Sequence, residues 1–205
     1  MPLSAAHKAR TRAAILEAAA RLFRRHGYEA TGIDDIMAEA GLTRGGFYAH
    51  FRSKEALFAE VMREPHGFVR QMRGRKATDR RGLAREGLRV IADYMRPDHL
   101  TEVGPGCTLA ALPGDAARAG LAPQLAYANA FYVLIGEFGR ALPQRRALDR
   151  RATAAVTLCV GAMTVARAGA GAPGFARHIL RAAESEVRRL LQPKRAARSQ
   201  AKRRR

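Results

Sequence analysis

One short segment of the sequence combines side chains that bind nucleic acid with two adjacent glycines. Gly45 and Gly46 each cost a helix about 1 kcal/mol relative to alanine, so a purely structural helix rarely holds both. Missing side chains would let the backbone lie close to DNA. Arg44 could then reach the edge of a guanine, while Tyr48 and His50 bind phosphate or sugar. A frayed, glycine-rich helix start in a surface loop is the alternative interpretation.

The elements that must position these residues are two short helices joined at a glycine. Apolar residues recur at helical spacing between positions 33 and 40, with two acids in the first turn, where they suit the helix dipole. Gly41 follows, at a point where a chain leaving a helix adopts positive φ. Thr43 is the predicted N-cap of a second helix over 44–51, and Ser53 is the predicted N-cap of the next. This pattern is typical of a helix-turn-helix unit.

Lys54 stands in the first turn of that next helix, where a cation is electrostatically unfavourable. A contact with DNA phosphate would explain its position. An ordinary surface lysine is the alternative.

Residues 12–61 resemble the N-terminal DNA-binding domain of the TetR/AcrR family of bacterial transcriptional regulators. The match covers roughly a quarter of the chain, in the family's order and spacing. The residues that carry it are Ile15-Leu16-Glu17-Ala18-Ala19, Leu22-Phe23, His26-Gly27-Tyr28-Glu29-Ala30-Thr31, Asp35-Ile36, Ala40-Gly41-Leu42-Thr43, Gly45-Gly46-Phe47-Tyr48, His50-Phe51, Ser53-Lys54-Glu55 and Leu57-Phe58.

The resemblance implies an all-α fold, with an N-terminal three-helix helix-turn-helix domain and a C-terminal helical domain for ligand binding and dimerisation. It also implies a homodimer that represses transcription from a palindromic operator in double-stranded DNA. The positions expected to contact DNA are Thr31, Thr43, Arg44, Gly45, Gly46, Tyr48, His50 and Lys54.

Two residues depart from the family's pattern. Gly32 stands where relatives often have Ser or Thr as a helix cap, which weakens that cap. Met37 replaces a small alanine in the core of the first of the two short helices, so one of its neighbours must be smaller.

The net charge of +19 lies mostly outside the expected reading surface. We expect a DNA-binding domain over 8–68, with its helix-turn-helix at about 31–50, and a ligand-binding and dimerisation domain over 69–192. The first 64 residues hold ten basic and eight acidic side chains, whereas the tail 193–205 holds seven basic and none acidic. The tail lacks apolar periodicity and is predicted to be disordered, either adding non-specific DNA affinity or simply solvated.

Several classes of protein are disfavoured by the sequence. No run of eighteen apolar residues predicts a membrane span, and the N-terminus lacks the apolar core of a signal peptide, so we expect a cytoplasmic protein. The six histidines show no metal-ligand spacing, and neither a phosphate loop nor a nucleophile elbow occurs. We therefore expect no enzyme activity, no catalytic or metal site and no cofactor.

The C-terminal half contains two stretches, 126–138 and 152–170, that are apolar on most faces. Helices of this kind are buried on all sides, either within the subunit or against a second copy. An inducer of unknown identity is expected to bind in this domain. The aromatic and sulfur side chains that could line its pocket are Tyr94, Met95, Cys107, Phe131, Phe138 and Met163.

Cys107 supports an alternative trigger. It opens a predicted helix after Gly104-Pro105-Gly106, where the helix dipole would lower a thiol pKa and favour thiolate. Some regulators of the resembled family sense electrophiles or oxidants through such a cysteine. Three functions follow from the sequence: a ligand-released repressor as the favoured one, a thiol-switched regulator, and an architectural DNA binder that ignores sequence and is driven by the basic tail.

Overall fold

The computed structural model describes residues 5–65, 67–100, 106–142 and 148–192, and all regular elements in these ranges are helical. The predicted all-α fold is therefore confirmed. The predicted tail 193–205 lies outside the described residues. None of the described helices combines the length and apolarity needed to cross a membrane.

The N-terminal domain consists of three α-helices and one 3₁₀ helix. These are α1 (Ala5–His26), α2 (Ile33–Glu39), the 3₁₀ helix Arg44–Ala49, here called the recognition helix, and α3 (Lys54–Arg63). Phe23 of α1 packs edge-on against Phe58 of α3, at 5.0 Å between ring centroids. Phe47 of the recognition helix is fully buried in the same core.

The turn between α2 and the recognition helix agrees with the sequence prediction, but the second helix does not. Gly41 has φ +69°, as predicted for a residue that leaves a helix. The predicted helix over 44–51 is wrong in type and length, since it is a 3₁₀ helix that ends at Ala49. Two glycines at its start disfavour the α-helix, and short 3₁₀ segments are common where a chain is tightly wound.

Seven α-helices and a 3₁₀ turn form the described part of the C-terminal domain. They are α4 (Gly67–Arg73), α5 (Arg80–Tyr94), the turn Pro97–Leu100, α6 (Thr108–Ala111), α7 (Pro113–Arg118), α8 (Leu121–Gly139), α9 (Arg150–Ala168) and α10 (Phe175–Leu191). The sequence predicts a final helix over 175–191, and α10 has these bounds. The sequence also predicts a helix that ends at Pro113 and an irregular continuation over 116–120. The structure instead has α7 there, because proline at the first helical position needs no partner for its missing N–H.

The two domains are joined by packing and by specific hydrogen bonds. Helix α3 packs along α8, and α9 packs along α10 at the other side of the C-terminal domain. Asp115 of α7 accepts a hydrogen bond from the backbone N–H of Tyr28, at 2.8 Å. Buried Arg24 of α1 donates to the hydroxyl of Thr108 in α6, at 3.3 Å. Helices α6 and α7 therefore hold the end of α1 and the turn that follows it.

Candidate DNA interface and ligand cavity

The recognition helix presents two large side chains to solvent and buries a third. The side chain of Arg44 is 67% exposed, and Tyr48 is 63% exposed. Phe47 is buried and meets the Tyr48 ring edge-on, with 5.2 Å between centroids. Phe47 thus anchors the helix to the core while Arg44 and Tyr48 stand clear of the protein.

Neither glycine of the recognition helix is required by the protein's own structure. Both have φ outside the positive range that favours glycine. A Cβ at Gly45 would meet nothing within 4 Å, and a Cβ at Gly46 would lie 3.5 Å from Cε of Met37, an ordinary contact. Gly46 is also the small neighbour that the unusual Met37 was expected to need. The free space in front of Gly45 is open to a partner.

Arg44 forms an ion pair with Asp34 of α2, with 2.6 Å between Nη1 and Oδ2. Both side chains are mostly exposed, so the pair contributes about 0–1 kcal/mol. A base edge can therefore replace Asp34 at small cost. The sequence suggested only a dipole interaction for this acid, because its partner is ten residues away.

The predicted N-caps are confirmed in position but not always in chemistry. Ser53 Oγ accepts a hydrogen bond from the backbone N–H of Ala56 at 3.0 Å, as expected of a cap. Thr43 occupies the N-cap position of the recognition helix, but its hydroxyl makes no cap hydrogen bond. Thr43 is exposed, so its hydroxyl is free to contact a partner beside Gly45.

Two residues expected to contact phosphate make hydrogen bonds within the domain. Thr31 is only 2% exposed, and its hydroxyl donates to the carbonyl of Gly27 at 2.7 Å. Lys54 Nζ donates to the carbonyls of Tyr28 and Thr31, at 3.0 and 3.2 Å, and lies 4.4 Å from the centre of the Tyr28 ring. Lys54 is thus neither a random surface lysine nor a free cation, because it fastens the turn between α1 and α2 to α3.

His50 caps the end of the recognition helix and is partly buried. Its Nδ1 atom is buried without a hydrogen-bond partner in the described structure. Burial lowers the pKa of His50, and the positive charges of Lys8 and Arg12 lower it further. The ring is therefore neutral at pH 7. A DNA phosphate could accept a hydrogen bond from the N–H of the neutral ring, or its negative charge could favour protonation of the ring.

A cavity of about 230 Å³ lies in the C-terminal domain, between α4, α5 and α9. It is lined by Gly67, Phe68, Gln71, Tyr94, His99, Gly106, Cys107 and Arg167. Of the six side chains proposed from the sequence for a ligand pocket, the structure brings Tyr94 and Cys107 to this cavity. Met95, Phe138 and Met163 are buried in the hydrophobic core, and Phe131 packs against that core.

The expectation of a thiolate at Cys107 is corrected by the structure. Cys107 does sit at the N-cap position of α6, but it is 2% exposed and α6 has only four residues. Burial raises the pKa of the thiol, and hydrogen bonds from the backbone of Ala110 and Leu109 offset this only in part. Desolvation therefore outweighs the dipole of so short a helix, and the group is a thiol at neutral pH.

Sequence reasoning missed the cationic member of the cavity, Arg167. Its only signal was a charge in the last turn of an otherwise apolar helix, where it passes for a residue that suits the helix dipole. Gln71 and His99 were also missed, because they come from separate elements that the sequence gives no reason to join.

Known proteins resemble the N-terminal domain in sequence and most of the chain in fold. The family model "Bacterial regulatory proteins, tetR family" matches residues 15–61. An uncharacterized HTH-type transcriptional regulator of Bacillus subtilis, YfiR, is 43% identical over 56 residues, which are 27% of each chain. The HTH-type transcriptional repressor KstR2 of Rhodococcus jostii is 38% identical over 68 residues, 33% of this chain and 32% of its own. The match thus spans about a third or less of these relatives.

The reduced form of NemR from E. coli has a similar fold, with a TM-score of 0.68 at 16% identity, over 88% of this chain and 96% of that one. Together with the geometry of the recognition helix, the sequence matches define the N-terminal domain as a helix-turn-helix DNA-binding domain. Residues 15–61 thus match the DNA-binding domain of the TetR family of bacterial regulatory proteins.

Proposed function

We propose that the protein is a homodimeric transcriptional repressor that binds a palindromic operator and is released by a small-molecule ligand. The observation that carries the DNA-binding part is the open surface at Gly45, flanked by exposed Arg44 and Tyr48. Neither φ nor packing explains the two glycines within the protein. Close approach of a DNA backbone does explain them, because a side chain there would stand between helix and groove.

Specificity in this proposal rests on few contacts. Residues 1–64 hold ten basic and eight acidic side chains, so the DNA-binding domain has little excess charge to attract DNA in general. Arg44 reads a base edge, Tyr48 and Thr43 contact the DNA beside it, and His50 contacts phosphate. Thr31 and Lys54 act mainly by fixing the turn that positions α2.

An apolar groove on α9 and α10 supports the homodimer. It is lined mainly by small and aliphatic residues, among them Leu158, Gly161, Ala162, Val165 and Ile179. Gly161 has open space where its Cβ would lie, so a second helix can approach closely. Leu125 and Tyr132 on α8 are also large apolar side chains exposed in the single subunit. A two-fold axis here would hold two recognition helices at the fixed spacing that a palindrome requires.

The contacts between the domains support control by a ligand. Cys107 lines the cavity, and the next residue, Thr108, is hydrogen-bonded to Arg24 of α1. Asp115, one helix further on, holds the backbone of Tyr28. A ligand that displaces α6 would therefore move the turn between α1 and α2, and with it α3, which begins at Lys54. Release of DNA requires that the ligand bind the displaced state more tightly, by as much as it weakens DNA binding.

Binding of matched DNA duplexes tests the proposal. A duplex selected by the protein from genomic DNA is compared with a shuffled duplex, using the parent, Arg44→Ala and Arg89→Ala. Arg89 is exposed on α5, so Arg89→Ala is a control that removes the same charge outside the DNA-binding domain. We expect Arg44→Ala to weaken binding to the selected duplex by about 1–3 kcal/mol and to leave the shuffled duplex nearly unaffected. Equal losses on both duplexes, or equal losses in both variants, would reject base reading by Arg44.

Sedimentation of the parent and of Val165→Glu tests the dimer. A charge in the apolar groove should convert a dimer into a monomer, whereas Arg89→Glu on α5 should not. A parent protein that is monomeric at micromolar concentration would contradict the proposal.

A further inference from the structure

The cavity in the C-terminal domain contains a partly buried cation with unused hydrogen-bond donors. Arg167 donates from Nη2 to the backbone carbonyl of His99, at 3.1 Å. Its Nε and Nη1 atoms are buried and have no hydrogen-bond partner among the described residues. Two buried nitrogens without partners cost free energy, because these donors were hydrated in the unfolded chain.

The same cavity contains a buried hydroxyl whose polar neighbour is a thiol. Tyr94 is 4% exposed, and its hydroxyl lies beside the Cys107 thiol, a weak hydrogen-bond partner, with no oxygen or nitrogen partner among the described residues. The Tyr94 ring is stacked on Phe68, with 4.0 Å between centroids and an angle of 8° between the planes. The ring is therefore fixed, and its hydroxyl cannot turn to solvent to be hydrated.

The described lining of the cavity is positive. Of the residues that the structure describes there, none is acidic. The carboxylate of Asp93 comes within 3.8 Å of Nε2 of His99, but Asp93 does not line the cavity. Behind the cavity lies buried Arg24, whose pKa is lowered to about 10 by burial and by the neighbouring charges of Arg21, Arg70 and Arg167, although Cys107 opposes this.

We propose that this cavity binds a small organic carboxylate, and that this is the ligand class to which the repressor responds. The carboxylate oxygens accept hydrogen bonds from Arg167 and from the Tyr94 hydroxyl, and the apolar part of the ligand lies against Phe68. The inference rests on the proposed ligand-released function for its biological role, but not for the binding itself.

The volume of the cavity limits the size of the ligand. About 230 Å³ accommodates roughly eight groups of the size of a water molecule, at ~30 Å³ each. This is below the range of about 300–1,000 Å³ that is usual for drug-sized ligands. A compact aromatic or short aliphatic acid fits, whereas a long acyl chain does not.

Calorimetric titration of the full-length protein without DNA tests the chemistry of the site. The probes are two matched pairs, benzoate with benzamide and phenylacetate with phenylacetamide, together with inorganic phosphate. Each pair differs in charge but hardly in shape. We expect at least one carboxylate to bind about tenfold or more tightly than its amide, because a charge-assisted hydrogen bond is roughly twice as strong as a neutral one. Phosphate should bind more weakly than that carboxylate, since it has no apolar part for Phe68.

Three variants locate the binding. Arg167→Gln keeps a donor for the His99 carbonyl but removes the charge, and should weaken carboxylate binding by about ten- to a hundredfold. Tyr94→Phe removes only the hydroxyl oxygen, which in the free protein lies beside the Cys107 thiol, and should weaken binding by about tenfold. Arg150→Gln, at the exposed start of α9, is the matched control and should bind like the parent. Thermal unfolding of Tyr94→Phe should match or exceed that of the parent, so a loss of binding in this variant cannot be ascribed to misfolding.

The outcomes separate this inference from the proposed function. The inference is overturned if no carboxylate binds, if amides or phosphate bind as tightly, or if Tyr94→Phe and Arg167→Gln bind like the parent. A separate titration of the protein–DNA complex with the best carboxylate tests release. Carboxylate binding without loss of DNA would reject ligand release by this class of compound, while the carboxylate site itself would stand.

Discussion

Gly45→Ala is expected to stabilise the protein and to weaken its binding to DNA. The added methyl group would meet nothing within 4 Å in the free protein, and Gly45 does not have a positive φ that alanine would resist. Alanine restricts the unfolded chain more than glycine does, so the free energy of unfolding should rise by about 0.4–1 kcal/mol. For a chain of this length this corresponds to an increase in Tm of about 1–4 °C.

The effect of the same methyl group on DNA binding has the opposite sign. If the helix backbone lies against the groove at Gly45, the methyl group displaces Arg44 from the base edge, and about 1–3 kcal/mol of binding free energy is lost. Thermal unfolding measures the first effect, and fluorescence anisotropy of a selected duplex measures the second. Gly171→Ala is the control, because Gly171 is also open and has no positive φ but lies outside the DNA-binding domain. A Gly45→Ala protein that is more stable and binds DNA as tightly as the parent would refute the role given to this glycine.

Four further changes probe single contacts. Lys54→Met should lower the free energy of unfolding by about 1–2 kcal/mol, because it removes two hydrogen bonds and a cation–π contact. The slope of DNA affinity against salt concentration should stay the same in this variant, whereas loss of a phosphate contact would reduce that slope by about one. Asp34→Asn frees Arg44 and should tighten binding to specific and random duplexes alike, by up to about fivefold in gel shifts. The pKa of His50 is lowered in the folded protein, so the imidazole of the unfolded chain is protonated first as the pH falls through 6.5. The free energy of unfolding should therefore decrease in that pH range, and His50→Gln should flatten this part of a stability–pH profile. Iodoacetamide should modify Cys107 far more slowly in the native protein than in the unfolded chain at pH 7, because burial keeps the group a thiol. Mass spectrometry follows the modification, with Cys107→Ser as the blank, and rapid modification of the native protein would support the thiol-switched regulator again.

The features that follow from local patterns could be predicted from the sequence. Helix α10 has the bounds predicted from its apolar spacing, Gly41 has the positive φ expected after α2, and Ser53 caps α3 as its residue type suggests. Each of these depends on residues within a few positions of one another. The wrong prediction of a helix over 44–51 also concerns a local pattern. The two glycines were interpreted as a DNA contact surface, but their effect on the backbone, a 3₁₀ helix, was not predicted.

The features that depend on distant residues could not be predicted. Lys54 is held by carbonyls 23 and 26 residues earlier in the chain, which no local pattern reveals. The ligand cavity combines α4 with Tyr94 and with Arg167, and the arginine looks like an ordinary helix-end charge until the fold shows that two of its nitrogens are buried beside the cavity. Pocket residues proposed for their aromatic or sulfur character, such as Met163, turned out to belong to the core.

Selection of DNA fragments from a random pool by the full-length protein tests the central claim most directly. A dimer that reads bases with two recognition helices should enrich one two-fold symmetric sequence, whose half-sites lie about one helical turn, or a multiple of it, apart. The enriched duplex should bind at least about a thousandfold more tightly than random DNA at physiological salt. Fragments without a shared sequence, bound with an affinity that depends only on salt, would show that the protein is a non-specific DNA binder and would contradict the account.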